Sequence, residues 1–474
     1  MTALVWFRDD LRIADNPALH AALANSAKHG GRVIAVYILE TDTRPLGAAA
    51  KWWLHHSLLQ LGEALASLGV PLTVVSGSAK SLIPELVSVA ACGAVYWNRR
   101  YGVQKDADRV LRQHLENSGV CVNSFIGNLL VEPWQISTAQ GAPYRVFGAF
   151  WRSVSALPPP PTVDIPAPAT ELPGSADKPK FPAENSAEDI ADSDVNQARL
   201  SREIAALGLL PEGVSWTAGL AARWQPGEAA AQQQLHSFLD GGLRGYEKQR
   251  DYPAISATSE LSPHLRWGEI SPRTVLNACL ARSAVARSTA EKTGIAKFLS
   301  ELGWREFAWH TLFHNPSLAT DPLDSRFYNM PYLEPEAAGL RAWQRGETGF
   351  ALVDAGMREL WETGFMHNRV RMVTASFLTK HMLCDWRVGE AWFWDTLVDA
   401  DPASNPFNWQ WVAGCGVDSA PYFRIFNPES QQKRFDPAGE YVKLWCGDAA
   451  EQTERILDLP ASRMRALAAY QSIK

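Results

Sequence analysis

The sequence predicts a Rossmann-like parallel α/β domain over residues 1–130, followed by an all-α domain over 201–474. Three observations predict it. Short β-rich runs alternate with helical patterns through the first third. From about 155 to 200 the composition turns to Pro, Ala, Ser and acids. Beyond 200, apolar residues recur at helical spacing and no convincing strand is present. Residues 131–200 are therefore expected to be an interdomain linker.

The strand candidates are "ALVWF" (3–7), "RVIAVYIL" (32–39), "PLTVVS" (71–76), "AVYWN" (94–98) and "CVNSFI" (121–126). Helical patterns near 17–28, 49–68, 79–91 and 104–118 separate them. Strands this poor in polar residues suit a sheet covered on both faces, and the intervening helices supply the crossovers. The stretch "ALPPPPTVDIPAPATELPGSADKPKFPAENSAEDIADSD" has little to bury and reads as a surface connector. After it, "EKTGIAKFLSELGWREFAWHTLFH" and "GFALVDAGMRELWETGFMHNRVRMVTASFLTKHML" carry the helical period.

Composition narrows the function classes. A net charge of −6 does not announce a nucleic-acid binder, so any such binding needs a local basic patch. Six cysteines form no CxxC pair, which argues against a disulfide framework or a thiolate metal site and fits a reducing cytoplasm. The opening "MTALVWFRDDLR" is charged too early for a signal peptide, and no stretch approaches a membrane span. Ten of the 19 tryptophans lie beyond residue 300, an excess that suits either packing or stacking and electron chemistry.

Two polar constellations stand out. Thr258, Ser259 and Ser262 lie between Pro253 and a helix opening near Pro263. Hydroxyls and free N–H groups there suit an anion, or an ordinary helix cap. In "GFMHNRVRM", His367, Asn368 and Arg371 share a helix face by spacing. Their apolar flanks turn that face toward a cavity rather than solvent. A buried arginine needs an acid, and Asp399 or Asp401 in "DTLVDADPASN" could supply it. Further on, "NPFNWQWVAGCGVDSAPYFRIFNP" carries Trp409 and Trp411 in a segment that Pro406, Gly414 and Gly416 mark as a loop.

The motifs "LVWFRDDLRIADNPAL", "TSELSPHLRWGEISPR", "LGWREFAWH", "GFMHNRVRMVTASFLTK", "DWRVGE" and "NWQWVAGCGVDSAPYFRIFNP", in this order, resemble the DNA photolyase/cryptochrome family. Within it they look most like the bacterial class I photolyases that split cyclobutane pyrimidine dimers. The resemblance implies FAD, active when reduced, in the helical domain. Tyr246, Thr258, Ser259, Leu261 and Ser262 would hold its diphosphate and ribityl chain. Arg305, Asn368, Arg371, Asp399, Asp401 and Asn405 would surround the rest, with Asn405 at flavin N5. Glu301, Trp304, Asn368, Met372 and Trp411 would form the lesion pocket, Trp304 and Trp411 stacking on the flipped dimer. Trp409, Trp386 and Tyr332 would form an electron relay. Arg250, Arg369 and Arg424 would contact DNA phosphates. The implied partner is dimer-containing DNA, acted on by a monomer with no metal and no membrane.

Some positions depart from the family pattern. Tyr332 stands where relatives carry the relay's third tryptophan, so that Tyr332 or Trp343 ends the relay. Glu260 replaces a usual Arg or Lys, and Phe365 a common tryptophan. Gly102 replaces the glutamate of folate-binding relatives, and Ala319 and Thr320 replace polar contacts, leaving the antenna chromophore open. Besides the lyase, the sequence allows a cryptochrome-type photoreceptor or a non-photochemical FAD protein. The pocket set Glu301, Trp304, Met372 and Trp411 favours the lyase.

Overall fold

A computed structural model describes residues 2–164, 193–211, 216–334, 336–419, 423–447, 449 and 453–474. Its N-terminal sheet has five strands: β1 (Thr2–Phe7), β2 (Arg32–Glu40), β3 (Leu72–Gly77), β4 (Cys92–Asn98) and β5 (Cys121–Phe125). All pairings are parallel, in the order β3-β2-β1-β4-β5, with Val5 opposite Ala35 on one side and Tyr96 on the other. The crossovers are α1 (Pro17–His29), α2 (Ala48–Ser67), α3 (Ala79–Val89) and α4 (Gln104–Asn117).

Alternation along β1 explains the layering. Val5 and Phe7 pack with Leu19 of α1 and Trp53 of α2, whereas Leu4 and Trp6 pack with Ile83 of α3 and Leu111 of α4. Helix α1 starts where the Asn16 side chain accepts from Leu19 N and Pro17 takes the first turn. It stops where Gly30 adopts a left-handed conformation (φ 61°).

The stretch expected to be a linker contains packed structure. Helix α5 (Phe147–Ser155) sets Phe150 against Phe307 at 5.1 Å. Gly303 makes room for the Trp151 ring, because a Cβ there would collide with it. Helix α6 (Ser193–Ala206) buries Leu200 and Ile204 in the core beside α2. These aromatic and aliphatic residues lie outside the Pro-rich centre, 165–192, which falls outside the described residues.

The remaining described helices are α7 (Thr217–Arg223), α8 (Glu228–Ser237), α9 (Tyr246–Gln249), α10 (Ser262–Trp267), α11 (Pro272–Val285), α12 (Thr289–His314), α13 (Ala337–Arg345) and α14 (Ala351–Thr363). They are followed by α15 (Asn368–Ser376), α16 (Trp386–Thr396), α17 (Ser404–Ala413), α18 (Pro428–Phe435), α19 (Glu440–Cys446) and α20 (Leu459–Ser472). None of the described helices is long and apolar enough to cross a membrane.

The sheet and the helices share one core. Leu220, Trp224, Trp267, Phe365 and Val398 from the helical part pack into the same cluster as Val5 and Trp53. Polar ties reinforce it. Buried Arg12 donates to the carbonyls of Asp15, Gly127 and Gly268. Arg273 pairs with Asp15 at 3.1 Å, Arg266 with Asp9 at 2.7 Å, and Trp53 Nε1 donates to Glu269 at 3.0 Å. Open α/β sheets commonly bind ligands at their strand carboxyl ends. Here the loop after β1 is used to dock the helices.

Candidate functional site

The helical part encloses a cavity of about 480 Å³. One end is built from the segment before α10. Thr258, Ser259, Leu261 and Ser262 line it, with Tyr246 beside them. The Ser262 hydroxyl donates to Asp399 at 2.7 Å, and Gln234 holds the segment by donating to Ser259 O at 3.0 Å.

The middle is charged and ordered. Helix α15 opens with His367 as its cap, the Nδ1 accepting from Arg369 N, so that Asn368 and Arg371 both face the cavity. Arg371 forms a two-pronged pair with Asp399, at 3.0 and 2.9 Å, and also donates to Met366 O. Of the two acids considered, Asp399 is the partner. Asp401 instead caps α17 by accepting the N–H groups of Ala403 and Ser404. Arg305 also lines the cavity and is fixed by Asn128 O at 2.8 Å and Glu306 at 3.1 Å.

Asn405 is oriented by Glu390. Its Nδ2 donates to the Glu390 carbonyl at 3.0 Å and carboxylate at 2.8 Å. Both partners only accept, so the amide offers the cavity a carbonyl oxygen. Arg44, from the segment between β2 and α2, grips the same carboxylate with two bonds of 2.8 Å.

The segment with Trp409 and Trp411 is a helix, α17, and not the expected loop. Pro406 falls in its first turns, and Gly414 (φ 94°) ends it. Residues two apart on a helix point roughly 200° apart, and the two rings part accordingly. Trp409 is buried, contacts Phe393 at 4.9 Å and Trp343 at 6.4 Å, and fits because Gly389 has no Cβ to obstruct it. Trp411 is half-buried, its Nε1 donating to Asp418 O at 3.1 Å with the Arg424 guanidinium 5.1 Å from its ring.

Glu301, Trp304, Met372 and Trp411 all line the same cavity. Trp304 is stacked on Phe147 of α5 at 3.8 Å with planes 10° apart, which stiffens it as a platform. The rim carries an alternating series of charges. Glu301 is held by Arg250 and by Lys297 at 2.9 Å, and Asp251 holds Arg369 at 2.8 Å. Arg250 and Arg369 line the cavity, and Arg424 stands behind Trp411.

Of the expected relay, Trp386 is fully buried at the start of α16, and the ring neighbours of Trp409 are Trp343 and Phe393. Tyr332 packs against the helical core. Its hydroxyl has no hydrogen-bond partner among the described residues, and burial pushes the phenol pKa up. Sequence reasoning missed Phe147, Arg44, Glu390, Asp251 and Lys297. Only Lys297 left a readable signal, its i,i+4 spacing to Glu301.

A sheet domain fused through its core to helices that enclose an aromatic-walled cavity, hydroxyl-lined at one end and ion-paired at its centre, is built to hold an elongated nucleotide cofactor. Residues 298–472 match the family model for the FAD binding domain of DNA photolyase, and residues 3–169 that for DNA photolyase. A deoxyribodipyrimidine photo-lyase of Agrobacterium fabrum is 43% identical, over 99% of this chain and 98% of that protein. Cryptochrome-1 of Arabidopsis thaliana is 35% identical, over 94% of this chain and 62% of that one. The crystal structure of a bacterial class III photolyase from Agrobacterium tumefaciens superposes with a TM-score of 0.88 at 41% identity, covering 100% of this chain and 97% of that one. The chain belongs to the DNA photolyase/cryptochrome family.

Proposed function

We propose that the protein repairs cyclobutane pyrimidine dimers in DNA with light, using FAD held in the cavity. The observation that carries this reading is that the lesion-pocket set and the cofactor set line one continuous space. The cavity suits FAD on its own terms: hydroxyls stand at one end, a paired arginine at the middle, and an amide oxygen is fixed by Glu390. Thr258, Ser259 and Ser262 would hold the diphosphate, with Arg371, Asp399 and Asn405 around the ring system. When bound and reduced, FAD supplies an electron donor excited by blue or near-UV light.

The chain's own residues have separate tasks. Trp304 and Trp411 offer two aromatic platforms for an extruded dimer, whose stacking offsets part of the unstacking cost. Met372 supplies apolar contact, and Glu301 a carboxyl group for the dimer carbonyls. Arg250, Arg369 and Arg424 would reach DNA phosphates, Arg250 and Arg369 from within ion pairs with Glu301 and Asp251. Splitting the dimer needs an electron lent and then returned, so no net oxidation accompanies repair. Asn368, an amide where the (6-4) enzymes carry a second histidine, disfavours that other lesion.

The motifs look most like class I, whereas one solved structure that matches along the whole chain is a class III photolyase. We therefore read the protein as a class III-type dimer photolyase. The Arabidopsis relative keeps a photoreceptor as the alternative. Illumination of the reduced protein with dimer-containing oligonucleotide, followed by product chromatography, separates the two. Repair of the dimer with (6-4) products untouched is expected. Equal action on both lesions, or on neither, would sink the assignment.

A further inference from the structure

Glu260 is out of place beside a phosphate. It sits inside the segment Thr258–Ser262, lines the cavity with its neighbours, and adopts a left-handed backbone (φ 51°) unusual for a residue other than glycine. It is also a wall of a second cavity, of about 300 Å³, on the α7–α8 side. The charged residues lining the main cavity balance, with arginines 250, 305, 369 and 371 against Glu260, Glu301, Asp399 and Asp401. Each of these arginines already has a carboxylate partner. Among the described residues, a diphosphate placed at this end meets no unpaired cation, and it meets the Glu260 carboxylate.

Arg223, the last residue of α7, resolves this from outside the main cavity. Its Nη2 donates to Glu260 Oε1 at 2.8 Å, and Nη1 lies 3.9 Å from Glu359. The guanidinium is 4.8 Å from the Phe365 ring and 5.1 Å from the Trp224 ring, and its Nε is buried without a partner among the described residues. Phe365 in turn lines the main cavity. The arginine is thus braced by two rings with one carboxylate firmly in its grip.

We propose that Arg223 is the residue that lets this cavity accept a diphosphate: it neutralises Glu260 from α7, supplying across the chain the charge balance that an Arg or Lys at position 260 would supply within the segment. This rests on the reading above, that the segment Thr258–Ser262 faces the FAD diphosphate. Arg223 acts through Glu260 and is a positioning residue, not a ligand.

The test is FAD affinity, measured by titrating FAD into the apoprotein and by the flavin retained on purification. Arg223→Met should lower affinity by about tenfold, the factor that 1.4 kcal/mol of like-charge repulsion produces. Arg223→Met combined with Glu260→Gln should recover parental affinity, and Glu260→Gln alone should equal or exceed the parent. Arg223→Lys should hold most of it. Thermal unfolding of each apoprotein separates these effects from misfolding. The proposal is overturned if Arg223→Met keeps parental affinity, or if the double variant binds as poorly as Arg223→Met, because a purely structural arginine is not rescued by deleting its partner. If Glu260→Gln alone loses FAD, the acid is a ligand and the proposal also falls. A parent that takes up no FAD would bring down the cofactor reading itself.

Discussion

Arg371 and Asp399 meet as a two-pronged pair, Nη1 to Oδ1 at 3.0 Å and Nη2 to Oδ2 at 2.9 Å, and the same Oδ2 accepts the Ser262 hydroxyl at 2.7 Å. One carboxylate therefore ties α15, α10 and the segment before α17 together on the cavity wall. Arg371→Ala would strand that buried carboxylate. The expected loss is about 3–5 kcal/mol of stability together with FAD. Arg371→Lys should recover only part, because an ammonium cannot match the fork. Denaturant unfolding and flavin absorbance check both, and a stable, fully loaded Arg371→Ala protein would contradict the role given to the pair.

Trp411 is half-buried, and its ring lines the cavity. Trp411→Ala should weaken binding of dimer-containing DNA by about 1–3 kcal/mol, one stacking platform's worth, and leave FAD content unchanged. Gel-shift titration against lesion-bearing and undamaged oligonucleotides measures it. Unaltered lesion binding would make Trp411 a packing residue.

In the proposed relay Trp409 and Trp386 are the first two steps, and either Tyr332 or Trp343 takes the hole after them. Tyr332 must lose its proton to be oxidised, yet its hydroxyl has no partner among the described residues and burial holds the proton on. Trp343 lies 6.4 Å from Trp409, ring centre to ring centre. Trp343→Phe should therefore slow flash-induced photoreduction more than Tyr332→Phe does, as read by transient absorption. Repair by chemically reduced enzyme should be the same in both. The reverse order of rates would put the relay through Tyr332.

His310 is buried, and its Nε2 accepts from Tyr144 N at 3.1 Å, a bond that only an unprotonated nitrogen can make. Burial pulls its pKa from about 6.5 down to about 4. The unfolded chain then binds a proton that the folded chain refuses, so stability is intact above pH 6.5 and falls as the pH drops toward 4. Thermal melts of His310→Gln, which keeps an acceptor and loses the titration, should lose up to about 3 kcal/mol less than the parent over that interval.

The sheet was legible because runs such as "RVIAVYIL" and "AVYWN" have almost no polar residues, which only a two-sided burial tolerates. The cofactor residues expected from the motifs, from Tyr246 to Asn405, all line one cavity, whereas apolar wall residues such as Phe298 and Phe393 had no motif to mark them. Helix α17 was misread because Pro406 and Gly414 look like breakers in sequence, while in place they fall in its first turns and just past its end. The Phe147–Trp304 stack and the Arg44–Glu390 pair were invisible, since partners more than 150 residues apart in sequence leave no local pattern, and the Glu390–Asn405 bond, 15 residues apart, joins two different helices. The Arg223–Glu260 pair was half visible: the odd acid could be seen, its neutralising cation could not.

The apolar layer that runs unbroken from Val5 and Trp53 to Trp267, Phe365 and Val398 has a thermodynamic corollary. Each half also buries residues of its own, but this layer belongs to both, so the two halves should melt as one cooperative unit. A single calorimetric transition, with van't Hoff and calorimetric enthalpies in agreement, is the signature. The α/β part expressed alone would present the bare face of Trp52 and Trp53 to water and should aggregate or remain unfolded.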